Sequence, residues 1–277
     1  ATSRASQANY AYLSKDMLAR GLGWDWNIYA PDWDRAVAAA YCAPGTYNKA
    51  RCKFSGGVNS IDDAYYQSRA LRDDNLYSVD ADLRLGEQGR LKLLAYHHDN
   101  RGQGHWWAPG QPSYPGTDRM LPISIRSTNY TINRDGLTAA LSWTVGIHEL
   151  EAGLWYEQND HNVSRNFYYI SGPFLDDLYL KNPDRLLFNQ DFDIRTQQFY
   201  VQDRMRFLDQ RLTVDVGIKS PNTRMRATAK SGVETSIASG TLTAKESVLP
   251  QVGLGFKLNA NNELFASYAE NIAAFVG

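Results

Sequence analysis

Six carboxylates recur at alternating positions along three segments of the chain: Asp80, Asp82, Glu149, Glu151, Glu157 and Asp215. Paired carboxylates at a suitable separation can act as general acid and base in glycoside hydrolysis. Basic residues lie among them, including Arg84, Lys92 and Arg211, so a solvated set of balanced charges is the favoured interpretation. No Ser/His/Asp arrangement can be assembled around them. The sequence therefore predicts a protein without a catalytic site.

The chain has one His-rich stretch, containing His97, His98, Asp99 and His105. Imidazole and carboxylate groups are common metal ligands. Consecutive strand residues point to opposite faces, so His97 and His98 would not bind the same ion. We predict neither a metal site nor a bound cofactor.

Two cysteines, Cys42 and Cys52, lie in the Gly- and Pro-containing segment YCAPGTYNKARC. Their even number and local spacing predict a disulfide, which would imply an oxidising compartment. Closing such a short loop contributes roughly 3 kcal/mol in the chain-entropy description. The alternative is two unrelated thiols. Metal binding is disfavoured because no second Cys/His pair lies nearby.

Tryptophans cluster in two segments that read as loops. Trp24, Trp26 and Trp33 belong to WDWNIYAPDWD, and Trp106 and Trp107 follow His105. Aromatic faces of this kind could stack on an aryl group or a sugar ring, which makes these five residues the candidates for ligand binding. The alternative is that they pack the loops or lie at the level of lipid headgroups.

Strict alternation of apolar and polar residues dominates the rest of the chain and predicts β-strands. The strands come in pairs around tight turns centred near positions 87, 147, 209 and 260, and one more strand is expected near Gln7 to Ser14, giving about nine. The connections between pairs are long, at roughly 100–135, 160–194 and 220–246.

Short turns at one end of the strands and long loops at the other are typical of transmembrane β-barrels, and strands of about ten residues match a tilted membrane crossing. A soluble β-sandwich would show regular turn spacing and a propeller a repeated blade motif. Charges fall on one face only, except Asp203, which is in phase with Val201 and Met205. We expect Asp203 near a membrane interface or at a bulge.

Composition is compatible with such a barrel. Mean hydropathy is -0.48, which a membrane barrel tolerates because only the outward half of each strand is apolar. The 17 Tyr, 10 Phe and 7 Trp residues fit either aromatic girdles or a β-rich core. A net charge of -1 gives no reason to expect nucleic acid as a partner.

Two of the predicted hairpins, at 251–275 (QVGLGFKLNANNELFASYAENIAAF) and 197–219 (QQFYVQDRMRFLDQRLTVDVGIK), resemble recurring segments of TonB-dependent receptors. The first resembles one in which a short Asn/Asp turn precedes an aromatic strand. The second resembles another, in which an aromatic-Gln-Asp strand turns into an RLT-type strand. The resemblance is good from about residue 75 onward and weak before it.

The resemblance implies an all-β, antiparallel up-and-down transmembrane β-barrel of about 22 strands, with short periplasmic turns and long extracellular loops. Residues 1–277 would form a partial barrel domain of about nine strands, without the plug domain and the remaining strands. We therefore expect an internal piece of a longer receptor that does not close a barrel alone.

The resemblance also implies a function. The expected role is active uptake of a scarce nutrient, with a ferric siderophore as the leading substrate class. Uptake of oligosaccharide or cobalamin, a passive porin-like channel and a soluble β-rich binding domain are the alternatives. The expected location is the outer membrane of a Gram-negative bacterium. The expected partners are outer-membrane lipid, the small nutrient, and the TonB complex through an N-terminal region outside this chain.

Overall fold

The computed structural model describes residues 1–8, 15, 19, 33–55, 60–61, 68–173 and 179–273. Ten strands account for most of them: β1 Thr2–Ala8, β2 Ser68–Leu85, β3 Gly89–Ser113, β4 Leu121–Val145, β5 His148–Tyr168, β6 Arg185–Phe207, β7 Leu212–Ala229, β8 Gly240–Lys245, β9 Leu249–Asn259 and β10 Asn262–Ala269. Helix α1 spans Trp33–Ala40, and a 3-10 turn spans Lys49–Arg51. Among the described residues, none of the helices has the length and apolar character that a membrane span requires.

The strands form one antiparallel meander in the order β1-β2-β3-β4-β5-β6-β7-β9-β10. Strand β7 pairs with β9 over residues 212–219 and with β8 over residues 222–227, so β8 continues the sheet beyond the end of β9. Within the described part, β1 and β10 are the edges and the sheet stays open. The all-β, up-and-down architecture of a partial barrel is confirmed.

The tight turns lie where alternation predicted them, but seven of the ten strands are longer than ten residues. Strands β3 and β4 have 25 residues each and β6 has 23, so most of 100–135 and 160–194 is strand rather than loop. The structure has ten strands where about nine were predicted, the additional one being β8. A strand was also predicted near Gln7 to Ser14; β1 covers Thr2–Ala8, and residues 9–14 lie outside the described residues. Segments such as 97–105 and 157–162 are polar on both faces, so the alternation is interrupted there and the strands could not be followed further.

The cross-strand register assembles the apolar positions into one continuous surface. A typical row joins Leu83 to Leu91, Leu141, Ala152, Val201 and Ile218. Many apolar side chains of this surface are exposed: Val79 is 76% exposed and Phe199 is 59% exposed. We call this surface the apolar band; it comprises the outward residues of 77–85, 91–95, 137–145, 150–156, 199–207, 212–218, 252–258 and 264–268.

An exposed apolar surface of this extent requires an apolar partner. Segments of nine residues, such as 77–85 and 137–145, match the crossing length of a membrane strand. Asp203 is the charged residue that the alternation pattern assigned to this face. Its Oδ2 lies 2.6 Å from His148 Nδ1. Pairing runs through Asp203 without a shift, so no bulge turns it inward. Its place beside the tight turn fits the predicted interface position.

Farther along the strands, the same face is covered by protein. Helix α1 and the segment that follows it pack onto β3, β4 and β5, and enclose a small core of Ala40, Tyr41, Trp107, Ile123, Ile125, Tyr168, Ile170 and Leu180. We call residues 33–55, 170–173 and 179–180 the cap. In the structure a Cys42–Cys52 disulfide closes the segment after α1. The main buried core of the described residues therefore lies under the cap.

Candidate ligand-binding face

The face opposite the apolar band is polar, and its carboxylates are engaged by neighbouring strands. Glu151 accepts hydrogen bonds from Tyr200 Oη at 2.8 Å, Ser142 Oγ at 3.2 Å and Gln202 Nε2 at 3.3 Å. Arg204 Nε donates to Asp215 at 2.6 Å, and Arg90 Nε to Asp82 at 2.6 Å. This arrangement fits the interpretation of a balanced polar surface better than that of a hydrolase.

Tyrosines on the polar face lie across glycines of adjacent strands. A Cβ on Gly136 would be 2.0 Å from Tyr96 Cζ, and one on Gly153 would be 2.4 Å from Tyr200 Cε1. The Tyr96 hydroxyl donates to Glu157 Oε2 at 2.5 Å and accepts from Trp155 Nε1 at 3.1 Å. Glycine is needed at these positions because a ring occupies the space of its missing side chain.

Beyond the level of the apolar band, the polar face carries cations and aromatic rings. Register places Arg126 opposite Trp106 and Arg165 opposite Phe188. The Arg165 guanidinium carbon lies 5.4 Å from the centre of the Phe188 ring. Arg126 pairs with Phe167, and Arg165 with Thr128, so the two arginines are diagonal neighbours on β4 and β5. We call Arg126 and Arg165 the arginine pair.

The arginine pair has no acidic partner among the described residues. The buried Nε of Arg165 lacks a hydrogen-bond acceptor. Burial, and after it the charge of Arg165, lowers the pKa of Arg126. Bringing two guanidinium groups together in a partly buried place is costly unless an anion compensates them. This part of the face is therefore suited to an anionic ligand.

The three tryptophan candidates that the structure describes do not share one face of the sheet. Trp24 and Trp26 lie outside the described residues. Trp33 and Trp107 pack edge-on inside the cap, with ring centres 5.3 Å apart, and Trp107 is only 4% exposed. Trp106 faces the other way, partly buried opposite Arg126. A ligand-binding role stays a prediction, and of the three described residues Trp106 has the position for it.

The histidines have separate surroundings. His97 contacts Asp135 at 2.8 Å and Asp99 at 2.9 Å. On the opposite face, His98 contacts Asp74 at 2.7 Å and accepts from Arg134 Nε at 3.1 Å. His105 is buried against Gln103, and burial, followed by the charge of Arg69, lowers its pKa to about 4. In the described ranges, no group of three acidic, His or Cys side chains could hold a metal ion.

Sequence reasoning missed Arg126, Arg165 and Phe188 because all three fell in segments assigned to loops. A signal was available. Counting in steps of two from Tyr96 reaches Trp106, and counting from Glu157 reaches Arg165, so parity alone assigns both to the polar face. Finding that Arg126 and Arg165 are neighbours additionally requires the register between β4 and β5.

Comparisons with known proteins agree with this architecture. Residues 7–274 match the sequence model of the TonB dependent receptor-like β-barrel, while no curated protein matches the chain. The fold is similar to that of the ferric citrate transporter FecA in its unliganded form, with a TM-score of 0.54, 13% identity and coverage of 73% of this chain and 27% of FecA.

A second similar structure is the siderophore receptor PiuA from Acinetobacter baumannii, with a TM-score of 0.50, 14% identity and coverage of 77% of this chain and 34% of PiuA. At these identities the likeness concerns the fold alone. The chain spans roughly a third or less of the solved structures named here. Because the family match extends over nearly all of its residues, this chain belongs to the TonB-dependent receptor family, in the β-barrel region.

Proposed function

We propose that residues 1–277 form part of the barrel wall of an outer-membrane receptor that takes up an anionic nutrient, with a ferric siderophore as the substrate class. The observation that carries the proposal is the arginine pair. Two neighbouring, partly buried guanidinium groups have no described acidic partner. They lie on the polar face, beyond the apolar band, where a ligand would arrive from outside the cell.

The chemistry of the site favours a chelate with peripheral oxygens. Arginine forms directed, charge-assisted hydrogen bonds to carboxylate oxygens, and the same holds for other oxyanions. Trp106 and Phe188 flank the arginine pair and offer apolar surface to the organic part of a ligand. Ferric citrate, which FecA is named for transporting, has this combination of negative charge and compact size.

Transport would use parts of the receptor outside this chain. The arginine pair can bind a ligand but supplies no energy for transport, so we infer that energy comes from the TonB complex acting on an N-terminal region. Within this chain, the role is to present the arginine pair at the entrance and a polar surface below it. Location in a Gram-negative outer membrane follows from the same proposal, because the apolar band requires lipid.

The test is ligand binding by the full-length receptor with the arginine pair changed to glutamine (R126Q/R165Q). Each lost charge-assisted hydrogen bond costs about 1.5–3 kcal/mol, so affinity for ferric citrate or an anionic ferric siderophore should fall on the order of 100-fold or more. The matched control is Arg224→Gln, which removes an exposed arginine from the opposite face and should leave ligand affinity unchanged.

Neutral ligands provide the contrasting outcome. A receptor for neutral oligosaccharide would bind through the aromatic rings and would tolerate the loss of the arginine pair. Unchanged affinity in the double variant, or preference for a neutral sugar over an anionic chelate, would overturn the proposal.

A further inference from the structure

A second group of cations lies on the opposite face of the sheet from the arginine pair. Arg195 of β6, Arg224 and Arg226 of β7 and Lys245 of β8 share the face of the apolar band. We call these four residues the outer basic patch. All four are exposed. The cap packs on β3, β4 and β5, so no other described segment covers this part of the face.

The arrangement of the patch is unfavourable without a counter-anion. Arg195 and Arg224 are direct cross-strand partners, and like charges in that position destabilise a sheet. Arg226 follows on the same side of β7, and these three arginines together with Asp193 line a cavity of about 190 Å³. A cavity of this volume, with three arginines among its four lining residues, can admit a phosphate group.

Carboxylates nearby offset only half of the charge. Asp193 lies 3.4 Å from Arg195 Nε and is the cross-strand partner of Arg226. Asp160 is the next residue in that row, opposite Asp193 on β5. The next outward carboxylate on β6, Asp191, is ion-paired with Lys230 at 2.9 Å. Apart from that pair, four cations face two carboxylates, and Arg224, Arg226 and Lys245 have no ion pair within 4 Å among the described residues.

The height of the patch matches the headgroup layer. On β6 the apolar band ends at Phe199, and Arg195 follows four residues later, which is about 13 Å along a strand and about 10 Å along the membrane normal for a tilted strand. The intervening outward residue on β6 is Gln197. Arginine stems are long and flexible enough to bring their guanidinium groups closer to the lipid boundary.

We propose that the outer basic patch binds the phosphate of a phosphorylated lipid in the outer leaflet. The acyl chains of that lipid would cover the apolar band directly below, and its phosphate would lie between Arg195, Arg224 and Arg226. The site differs from the ligand site in strand face and in partner. It does not depend on which nutrient the receptor transports.

The experiment measures lipid binding to the full-length receptor purified in neutral detergent. The probe is lipid A, a diphosphorylated glycolipid, with its chemically dephosphorylated form as the matched probe. Native mass spectrometry or thermophoresis reports occupancy. Each basic residue near a charged lipid surface strengthens binding about fivefold, so the triple variant R195Q/R224Q/R226Q should bind lipid A on the order of 100-fold more weakly than wild type.

Two further variants keep the result interpretable. R126Q/R165Q removes two arginines from the other face and should bind lipid A as wild type does, while the triple variant should bind the nutrient as wild type does, which also shows that it is folded. The lysine variant R195K/R224K/R226K keeps the positive charge and should retain most of the lipid affinity.

Three outcomes would overturn the proposal. Equal binding of lipid A by wild type and a folded triple variant would place the lipid elsewhere. Equal binding of the dephosphorylated lipid would show that the acyl chains alone account for affinity. Displacement of bound lipid A by inorganic phosphate at equal concentration would identify a free anion as the occupant.

Discussion

The two halves of the long strands use the same backbone for different surroundings. Near the tight turns, one face is bare and apolar, with Val79 and Phe199 exposed. In the far half, that face is polar or covered by the cap, where Trp107 and Ile125 are buried. Lipid can cover the apolar side chains of the first half without any further protein. In water, the apolar side chains of the second half are buried only by packing against the cap. The change from lipid to water along each strand therefore explains why the same face is exposed and apolar in one half, and polar or covered by the cap in the other.

The largest expected effect is a charge placed in the apolar band. Leu141 is 41% exposed at the middle of 137–145, so Leu141→Arg should destabilise the inserted receptor by about 2–4 kcal/mol. The adjacent Ser142 faces the polar side and contacts Glu151, so Ser142→Arg should change stability by less than about 1 kcal/mol. Urea unfolding from lipid vesicles measures both. Similar losses in the two variants would mean that lipid does not cover the band.

The disulfide should matter only to the far half. Replacing Cys42 and Cys52 with serine frees the segment after α1, at a cost of about 3 kcal/mol in the chain-entropy description. Hydrogen exchange should increase in residues 33–52 and stay unchanged in 137–145, because these segments are opened by separate local transitions. Equal deprotection of both segments would show that cap and band unfold as one unit.

Acidification should destabilise the cap, the same region that the disulfide closes. His105 is buried and its pKa falls to about 4, so between pH 6.5 and 4 the unfolded form binds a proton that the folded form excludes. Stability is present at neutral pH and is lost as pH falls through this window, by up to about 3 kcal/mol. Hydrogen exchange of residues 33–41 across pH 7 to 4, corrected for intrinsic rates, measures the loss. His105→Gln should flatten the profile; an unchanged slope would assign the effect to other groups.

The contrast between the halves also explains what sequence alone could predict. Alternation from Leu137 to Val145 is visible because lipid demands an apolar side chain at every second position. No such demand acts on residues 97–105, so the continuation of β3 was interpreted as a loop. The Trp33–Trp107 contact joins residues far apart in the chain, and the arginine pair depends on the register of β4 against β5. Such long-range pairings leave no local period.

The smallest expected effect is a difference in stability between two glycine-to-alanine variants, one in each half, in which the new Cβ meets a tyrosine ring. Urea unfolding measures the free energy of unfolding of each variant. In the membrane half, Gly136→Ala places a Cβ 2.0 Å from the Tyr96 ring and should displace its hydroxyl from Glu157, at a cost of about 1–3 kcal/mol. In the far half, Gly102→Ala meets Tyr130 at 2.3 Å, but the Tyr130 hydroxyl accepts only a 3.3 Å hydrogen bond from the exposed Arg72. The Tyr130 ring can rotate toward water, so Gly102→Ala should reduce the free energy of unfolding by less than Gly136→Ala does. Gly104→Ala is the control, since its Cβ would meet nothing nearer than the Thr128 carbonyl at 4.0 Å. Equal losses at Gly136 and Gly102 would show that the polar face is packed as tightly in water as between lipid-covered strands.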